Sequence, residues 1–164
     1  MADISFTKVD LPYGWLGNMA TYPIEYEGQI WITSEALFQA LRFDNAEIRE
    51  LIREQTSPMS AKMKAKALRY REYRIIEPMS ERDIANMRLC LRLKFEQHTE
   101  LKGRLLRTAP HTLVEDIGTR RGLRHQFWGA YRDVNNQWVG QNMMGQLLME
   151  VRNALQNPDS RPAQ

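Results

Sequence analysis

The sequence predicts an α+β fold, in which a predominantly helical single domain carries a small antiparallel sheet from its N-terminal third. Two patterns support this prediction. Apolar residues recur at helical spacing along much of the chain beyond residue 34, most regularly over 80–97. Residues 3–32 instead show short extended runs that are separated by turn residues.

The strand signals lie in the N-terminal third. Ile4 and Phe6 alternate with polar neighbours, which is typical of a strand with one buried face. Residues 24–31 predict two short strands that fold about Glu27-Gly28 as a β-hairpin. We expect the antiparallel sheet to form from these segments.

The helix signals follow. Ser34 is expected to cap a helix that ends near Phe43, and Ser80 to cap the most regular helix. Ser57-Pro58 predicts another helix start, because proline is favoured at the first helical position. The expected helical segments are 34–43, 48–52, 58–67, 80–97, 99–106 and about 141–155. The stretch 113–138, rich in Gly, Arg and aromatic residues, is expected to be irregular.

The composition limits the class of protein. The 164 residues are 43% hydrophobic and 26% charged, which fits one globular domain. We expect that domain to span residues 1–156 and the tail 157–164, which contains two prolines, to be disordered. No apolar stretch is long enough to cross a bilayer, and the N-terminus lacks a secretion signal. A lone Cys90 in an apolar helical run predicts a buried thiol, and a cytoplasmic location is expected.

The basic residues cluster in two places. The net charge is only +3, but Lys and Arg concentrate over 62–74 and again over 120–124. Such clusters favour phosphate-bearing ligands or nucleic acid, and they also occur as solvated helix faces. The three histidines are scattered and no Cys/His pair has metal-ligand spacing, so no metal is expected.

One candidate for catalysis is Glu35, which is followed by Phe38 and Gln39. At the first turn of a helix it would either complement the positive helix end or serve as a rigid acid or base in a cleft. The sequence contains no Ser-His-Asp arrangement, P-loop or dinucleotide fingerprint that would indicate another chemistry.

Two further segments carry polar or aromatic residues of interest. In the loop expected at 125–129, Trp128 precedes Gly129, which indicates either a core tryptophan beside a turn or a stacking wall for a ring. At 140–145 the last helix begins, and Asn142 would either cap that helix or bind a ligand.

Several short motifs occur in a fixed order along the chain. They are Leu16-Gly17-Asn18-Met19, Ser34-Glu35-x-x-Phe38-Gln39-Ala40, Ser57-Pro58 followed by Ala61-Lys62, Lys94-Phe95, Leu113-Val114-Glu115, Phe127-Trp128-Gly129 and Asn142-x-x-Gly145. Their order and spacing resemble those of the NADAR family. The resemblance extends from about Tyr13 to Leu155.

The resemblance implies an N-glycosidase, an enzyme that hydrolyses the bond between a ribose-type anomeric carbon and a nitrogen. The substrates it implies are small nucleotide-like molecules. They are phosphorylated riboflavin-pathway intermediates or ADP-ribose joined to guanine, the latter also within nucleic acid. It implies no cofactor and no membrane partner. One alternative is a catalytically weakened domain that binds ADP-ribose or a related nucleotide as a sensor. Another is a nucleic-acid-binding protein that uses residues 62–74.

The chemistry of this bond fits the residues that the resemblance assigns. Cleavage develops positive charge on the sugar and negative charge on the departing nitrogen, so it needs a carboxylate and a proton donor. The implied catalytic residues are Glu35, His125 and Lys62. The implied substrate-binding residues are Asn18, Phe38, Gln39, Lys94, Trp128, Gly129, Asn142 and Gly145. Lys62 or Lys94 would hold phosphate, or would attack the anomeric carbon in a covalent path.

The chain departs from the family pattern at four positions. Ala36 replaces a histidine, His125 an aspartate, Lys64 a glycine and Met79 a tryptophan. Since a histidine that titrates near neutrality can donate a proton, His125 remains a candidate donor. We expect Glu35, Trp128 and Asn142 to line one cleft.

Overall fold

The computed structural model describes residues 2–158. Within this range the chain forms seven α-helices and six short strands. In chain order they are β1 Ile4–Phe6, β2 Ile24–Tyr26, β3 Gln29–Trp31, α1 Ser34–Ala40, α2 Ala46–Arg53, α3 Pro58–Ala65, α4 Glu81–Gln97, α5 Thr99–Arg107, β4 Leu113–Glu115, α6 Leu123–Trp128, β5 Tyr131–Arg132, β6 Trp138–Val139 and α7 Met143–Gln156. The predicted α+β class, with mostly helical structure and small sheets, is confirmed. None of the helices formed by the described residues has both the length and the apolar character needed to span a bilayer.

The chain divides into two compact units. The central unit is Asn18–His98, and the terminal unit joins Met1–Gly17 to Thr99–Gln164, of which the structure describes 2–17 and 99–158. The single domain expected over 1–156 therefore contains two compact clusters of contacts. The expected disordered tail lies outside the described residues from position 159 onward.

The β-hairpin of the central unit confirms the sequence prediction. Strand β2 pairs antiparallel with β3, and Ile24 faces Trp31 in the register. Glu27 and Gly28 form the turn, both with positive φ, at 50° and 78°. Two consecutive residues in that region give the turn type whose twist matches that of the flanking strands.

Helix α1 is the most buried element of the central unit. All seven of its residues are buried, and it packs against α2, α3 and α4. Thr33, not Ser34 as predicted, is the N-cap, because its hydroxyl accepts the N–H of Ala36 at 3.1 Å. The helix ends at Ala40, short of the predicted Phe43, with Leu41 at its C-cap position.

Helix α4 agrees with the prediction in both position and cap. Ser80 is the N-cap, and its hydroxyl accepts the N–H of Asp83 at 3.3 Å. The buried face of the helix packs on α1 and β2. It carries Asp83, Met87, Cys90, Leu91, Lys94 and Phe95. Two ionisable side chains, Asp83 and Lys94, therefore belong to the core of the central unit.

The sheet of the terminal unit differs from the prediction. Strand β1 pairs with β4 in parallel, with Ile4 facing Leu113. The antiparallel sheet expected from the N-terminal third therefore consists of the β2–β3 hairpin, without β1. Parallel strands need a long crossover, so the partner of β1 lies too far along the chain for a local pattern to indicate it.

The segment 113–138 is more ordered than predicted. It contains β4, α6 and β5, and β6 begins at its last residue. The loop expected at 125–129 is mostly the helix α6, which ends at Trp128. Six residues are too few to show helical periodicity in the sequence, which explains the wrong prediction. Helix α7 packs against β4, α5 and α6.

Candidate active site

Glu35 lies on α1 and is 7% exposed. Its carboxylate accepts two hydrogen bonds, from the Asn18 side-chain amide at 2.7 Å and from the Gln39 side-chain amide at 2.8 Å. Each carboxylate oxygen has two lone pairs, so each retains capacity to accept a further bond. The carboxylate is thus held in one orientation in the core of the central unit. The helix-end role considered from the sequence does not require these two hydrogen bonds.

Asn18 is fixed against the first turn of α1. Its backbone carbonyl accepts the backbone N–H of Glu35 and the hydroxyl of Ser34, both at 3.2 Å. Its side-chain nitrogen donates to Glu35, which directs the amide oxygen Oδ1 elsewhere. Within residues 2–158, that Oδ1 and Nε1 of Trp31 are the two buried side-chain polar atoms that have no hydrogen-bond partner. Leaving a buried acceptor unpaired is unfavourable, so Asn18 Oδ1 marks a place for a donor from a ligand or water.

Gln39 connects Glu35 to a buried ion pair. Its amide oxygen accepts from Arg42 at 3.4 Å, and the Arg42 guanidinium donates two hydrogen bonds to Asp83 at 2.8 and 2.9 Å. The guanidinium carbon of Arg42 also lies 4.7 Å from the centroid of the Phe38 ring. Because breaking a buried ion pair costs about 3–5 kcal/mol, this network holds α1 firmly against α4.

Two members of this network, Arg42 and Asp83, were not predicted from the sequence. Asp83 lies in the first turn of α4, where an acidic residue is typical of a helix N-terminus and gives no sign of a buried partner. The available signal was the spacing of Glu35, Gln39 and Arg42, which places three polar residues on one face of an apolar segment. Phe38 and Gln39, both expected to bind substrate, are buried beside Glu35. Their contact with a substrate remains a prediction.

Cys90 lies on α4 and its thiol is buried, as predicted. Burial raises the pKa of this thiol well above its ordinary value, and the carboxylates of Glu35 and Asp83 raise it further. The thiol therefore remains protonated at neutral pH and is a poor nucleophile.

Lys94 lies one helical turn beyond Cys90 and is fully buried. Burial lowers the pKa of its ammonium from 10.5 to about 7. Its Nζ is 5.4 Å from the centroid of the Tyr22 ring and 5.3 Å from that of Phe95. Ring faces favour the charged form, but loss of hydration outweighs them here. A substantial fraction of this amine is therefore neutral near pH 7.

Lys62 lies on α3, which packs against α1, and its side chain is half-buried. The helix begins as the sequence predicts, with Ser57 as N-cap and Pro58 at the first position. It ends at Ala65, two residues before the predicted end. A catalytic role for Lys62 stays a prediction.

In the terminal unit, Asn142 connects α7 to β4. Its amide oxygen accepts the backbone N–H of Glu115 at 3.0 Å, and its amide nitrogen donates to the backbone carbonyl of Leu113 at 2.9 Å. It occupies the N-cap position of α7, but its side chain makes no capping hydrogen bond. Both polar atoms of this side chain are therefore used within the fold.

Two glycines let backbone segments approach closely in the same unit. A Cβ on Gly145 would lie 2.0 Å from the carbonyl oxygen of Leu113, and a Cβ on Gly129 would lie 2.6 Å from that of Glu115. Contacts that short are not tolerated, so both positions require glycine for packing. Packing alone accounts for Gly129 and Gly145, and their contact with substrate remains a prediction.

His125 and Trp128 lie on α6. Trp128 is 9% exposed, and its ring meets that of Phe127 edge to face at 4.9 Å between centroids. The side chain of His125 is half-buried. The structure thus brings Asn18, Phe38, Gln39 and Glu35 together in the central unit. A cleft shared by Glu35, Trp128 and Asn142 stays a prediction.

Comparison with solved structures gives a close match over the whole chain. The NMR structure of the Escherichia coli protein YbiA has a TM-score of 0.74 and 34% sequence identity. The match covers 100% of this chain and 92% of that one.

Sequence comparisons lead to the same group of proteins. The N-glycosidase YbiA of Escherichia coli is 39% identical over 156 residues, covering 93% of this chain and 88% of the relative. An N-glycosidase of Nostoc punctiforme is 29% identical, covering 94% and 93%. A riboflavin biosynthesis protein of Vibrio vulnificus is 33% identical over 93% of this chain, which spans 38% of that protein. The model of the NADAR domain matches residues 5–156, and the chain belongs to the NADAR family.

Proposed function

We propose that this protein hydrolyses the N-glycosidic bond of a small phosphorylated N-riboside, with Glu35 as the carboxylate at the anomeric carbon. One observation carries the proposal. The buried Glu35 carboxylate is oriented by Asn18 and Gln39, and beside it the Asn18 Oδ1 acceptor has no partner among the described residues. A fold has no need of a buried unpaired acceptor, whereas a hydroxyl-rich substrate or a water would satisfy it.

The relatives confirm the class of enzyme that the sequence predicts. Those from Escherichia coli and Nostoc punctiforme are named N-glycosidases. The name of the Vibrio vulnificus relative, a riboflavin biosynthesis protein, supports an intermediate of that pathway as the substrate. We therefore propose a phosphorylated flavin-pathway riboside as the substrate, in preference to ADP-ribosyl-guanine.

The proposed reaction adds water across the C–N bond. As that bond breaks, Glu35 stabilises the positive charge that develops at the anomeric carbon and accepts a proton from the attacking water. The water oxygen joins the sugar, and the departing nitrogen takes up a proton from solvent. His125 as the proton donor stays a prediction from the sequence. Asn18 Oδ1 accepts from the water or from a ribose hydroxyl. The products are the free sugar and the free base.

A covalent variant of this path would use an amine as the first nucleophile. Lys94 fits that role by its ionisation, because a pKa of about 7 leaves much of its amine neutral. Lys62 remains the other candidate. The amine would displace the base from the anomeric carbon to give a glycosylamine, whose sugar ring opens to an imine. Reduction of that imine with borohydride during turnover would trap the lysine adduct, and mass spectrometry would identify which lysine carries it.

The test is a panel of N-ribosides: phosphorylated and unphosphorylated flavin-pathway intermediates, ADP-ribosylated guanosine and NAD. Wild-type protein and the Glu35→Gln variant are incubated with each, and released base is followed by chromatography. We expect release from a phosphorylated flavin-pathway riboside by the wild type alone. Tight binding without release from any member would favour the sensor domain instead. Equal release by both proteins would overturn the role of Glu35.

A further inference from the structure

A buried ion pair lies next to Glu35, and no step of the proposed reaction uses it. The side chains of Arg42, which follows α1, and Asp83, in the first turn of α4, are 9% and 0% exposed. Uncharged side chains of similar volume often stabilise a core as well as a buried ion pair or better, because desolvating two charges is costly. The packing of α1 on α4 alone therefore does not explain why charged residues occupy these positions.

The Arg42 guanidinium is held in one plane. Its Nε and Nη2 donate to the two carboxylate oxygens of Asp83 at 2.9 and 2.8 Å, and its carbon lies 4.7 Å from the centroid of the Phe38 ring. Asp83 is held in turn by the backbone N–H of Met79, which donates to its Oδ2 at 2.9 Å. Paired hydrogen bonds of this kind fix the direction of a guanidinium, and here they direct Nη1 toward Gln39.

The side-chain amide of Gln39 lies between a group that only donates and a group that only accepts. A guanidinium has no acceptor, and an ionised carboxylate has no donor. The amide oxygen faces Arg42 Nη1 at 3.4 Å, and the amide nitrogen donates to Glu35 at 2.8 Å. The flipped amide would place donor against donor at Arg42 and acceptor against acceptor at Glu35. Arg42 therefore determines which end of the amide reaches the carboxylate.

We infer that Arg42 and Asp83 are positioning residues of the catalytic site, which act on Glu35 through the orientation of the Gln39 amide. The inference rests on the proposed function for the role of Glu35. Without the pair, the Gln39 amide is free to turn its oxygen toward Glu35, whose carboxylate then loses one of its two orienting hydrogen bonds. Because misplacing a reacting group slows the chemical step, the loss should appear in kcat.

The test replaces the pair by uncharged side chains of similar size. In the pair variant, Arg42→Met is combined with Asp83→Asn, which keeps an acceptor for the backbone N–H of Met79. The matched control combines Arg53→Met with Glu50→Gln. These two residues form an ion pair on α2 in the same unit, and their side chains are 30% and 37% exposed. Urea unfolding measures the stability of both variants.

NMR of the side-chain amide groups reports the orientation of Gln39 without depending on turnover. The signal is assigned by its absence from Gln39→Leu. In the wild type we expect one signal, in which one amide proton is shifted downfield by its hydrogen bond to a carboxylate. In the pair variant the downfield shift should shrink, or a second signal should appear. The control variant should keep the wild-type signal.

The kinetic test is a double-mutant cycle between the pair variant and Gln39→Leu. Each should lower kcat about tenfold, the loss expected for one hydrogen bond to a charged group. The KM should stay within about twofold, because neither change removes a group assigned to ground-state binding alone. Since both changes act through the same hydrogen bond, combining them should cost less than about threefold beyond either alone. The control variant should keep kcat within about twofold of the wild type.

Three results would overturn the inference. One is a pair variant with wild-type kcat, and another is a Gln39 signal that is unchanged in that variant. The third is a loss of about a hundredfold in kcat when the pair variant is combined with Gln39→Leu, because independent effects multiply. If the pair variant does not fold, the wild-type spectrum decides. A single Gln39 signal with a downfield proton would support the inference, and signals from two orientations would overturn it.

The inference and the proposed function fail in different ways. A Gln39 signal that changes in the pair variant, in a protein that hydrolyses no riboside, would support the positioning of Glu35 and reject the proposed substrate. Hydrolysis that is lost in Glu35→Gln but unchanged in the pair variant would reject the positioning role alone.

Discussion

Two asparagines that occupy family motif positions differ in how the fold uses them. In the terminal unit, both polar atoms of the Asn142 side chain bond to the backbone of β4. In the central unit, Asn18 donates to Glu35, but its Oδ1 has no partner among residues 2–158. Packing and hydrogen bonding within the fold therefore account for Asn142 fully and for Asn18 only in part.

This difference separates two reasons for finding a polar residue inside a protein. A side chain that is satisfied by main-chain groups stabilises the local fold, and its loss is expected to appear first as lost stability. A side chain that leaves an acceptor open beside an oriented carboxylate is expected to matter first for activity. Variants of the two units should therefore differ in which property they lose first, stability or activity.

Glu35→Gln should produce the largest effect, a loss of about two to four orders of magnitude in kcat. Stability should change little. The amide nitrogen introduced at position 35 would face the side-chain nitrogen of Asn18. Rotation of the Asn18 amide would bring its unpaired Oδ1 into position to accept a hydrogen bond from that nitrogen. The measurements are steady-state release of base and urea unfolding. A Glu35→Gln variant with wild-type kcat would contradict the assignment of catalysis to the central unit.

Glu35→Gln is a better test than Glu35→Ala. Taken as an exposed residue of the first helical turn, Glu35 would stabilise the helix by only about 0.3–1 kcal/mol. In the structure, truncation to alanine would leave the amides of Asn18 and Gln39 without their acceptor, at about 1–3 kcal/mol each. Loss of activity in the alanine variant would then be confounded by loss of stability.

Lys94→Met should remove a pH dependence of stability that belongs to the central unit. The folded-state pKa is about 7 and the ordinary value is 10.5, so between these values the unfolded chain binds more protons. Wild-type unfolding free energy should therefore rise as pH increases from 7 to 9, by up to about 1.4 kcal/mol per pH unit from this group. Below pH 7 the full cost of charging the buried amine is present. Urea unfolding at pH 7, 8 and 9 checks the slope, and equal slopes in the two proteins would contradict the prediction.

Asn142→Asp should lower stability by about 2 kcal/mol, because a carboxylate keeps the acceptor for Glu115 but loses the donor to Leu113. Aspartate also tolerates the left-handed backbone at this position, where φ is 51°. The substitution therefore tests the loss of the amide donor without added backbone strain. Thermal and urea unfolding give the stability. A stable variant with impaired substrate binding would show that Asn142 contacts substrate, as the family resemblance implies.

Asn18→Leu, of similar volume, should give the smallest effect, a fall of about tenfold in kcat/KM. It removes one hydrogen bond to the Glu35 carboxylate together with the open acceptor. Its loss of stability should be smaller than that of Asn142→Asp, because Asn18→Leu also removes the buried unpaired Oδ1, whereas Asn142→Asp places a carboxylate oxygen against the carbonyl oxygen of Leu113. A larger loss of stability in Asn18→Leu than in Asn142→Asp would contradict the difference drawn between the two asparagines.

Local signals predicted the elements that depend on neighbours in the chain. The β2–β3 hairpin follows from turn residues between two short strands, and α4 follows from its cap and periodic apolar face. The parallel pairing of β1 with β4 was missed, because its two strands, Ile4–Phe6 and Leu113–Glu115, lie far apart in the sequence. Short α6 was missed because it is shorter than two helical turns.

The candidate site was predicted in the same uneven way. Glu35 came from the family motif, and its buried setting was not evident from a first-turn position. The Arg42–Asp83 pair joins residues 41 positions apart, so no local pattern contains it. The basic residues Lys66, Arg71 and Arg74 appeared as one charge cluster, and only the fold shows that they surround a pocket.

The buried thiol of Cys90 gives the molecule an internal reporter of opening. It is the only cysteine in the chain, and both its burial and the nearby carboxylates keep it protonated in the folded protein. Alkylation by iodoacetamide requires an exposed thiolate, so the reaction should proceed only through molecules in which α4 has separated from α1. The labelling rate would then report how often this core opens under native conditions.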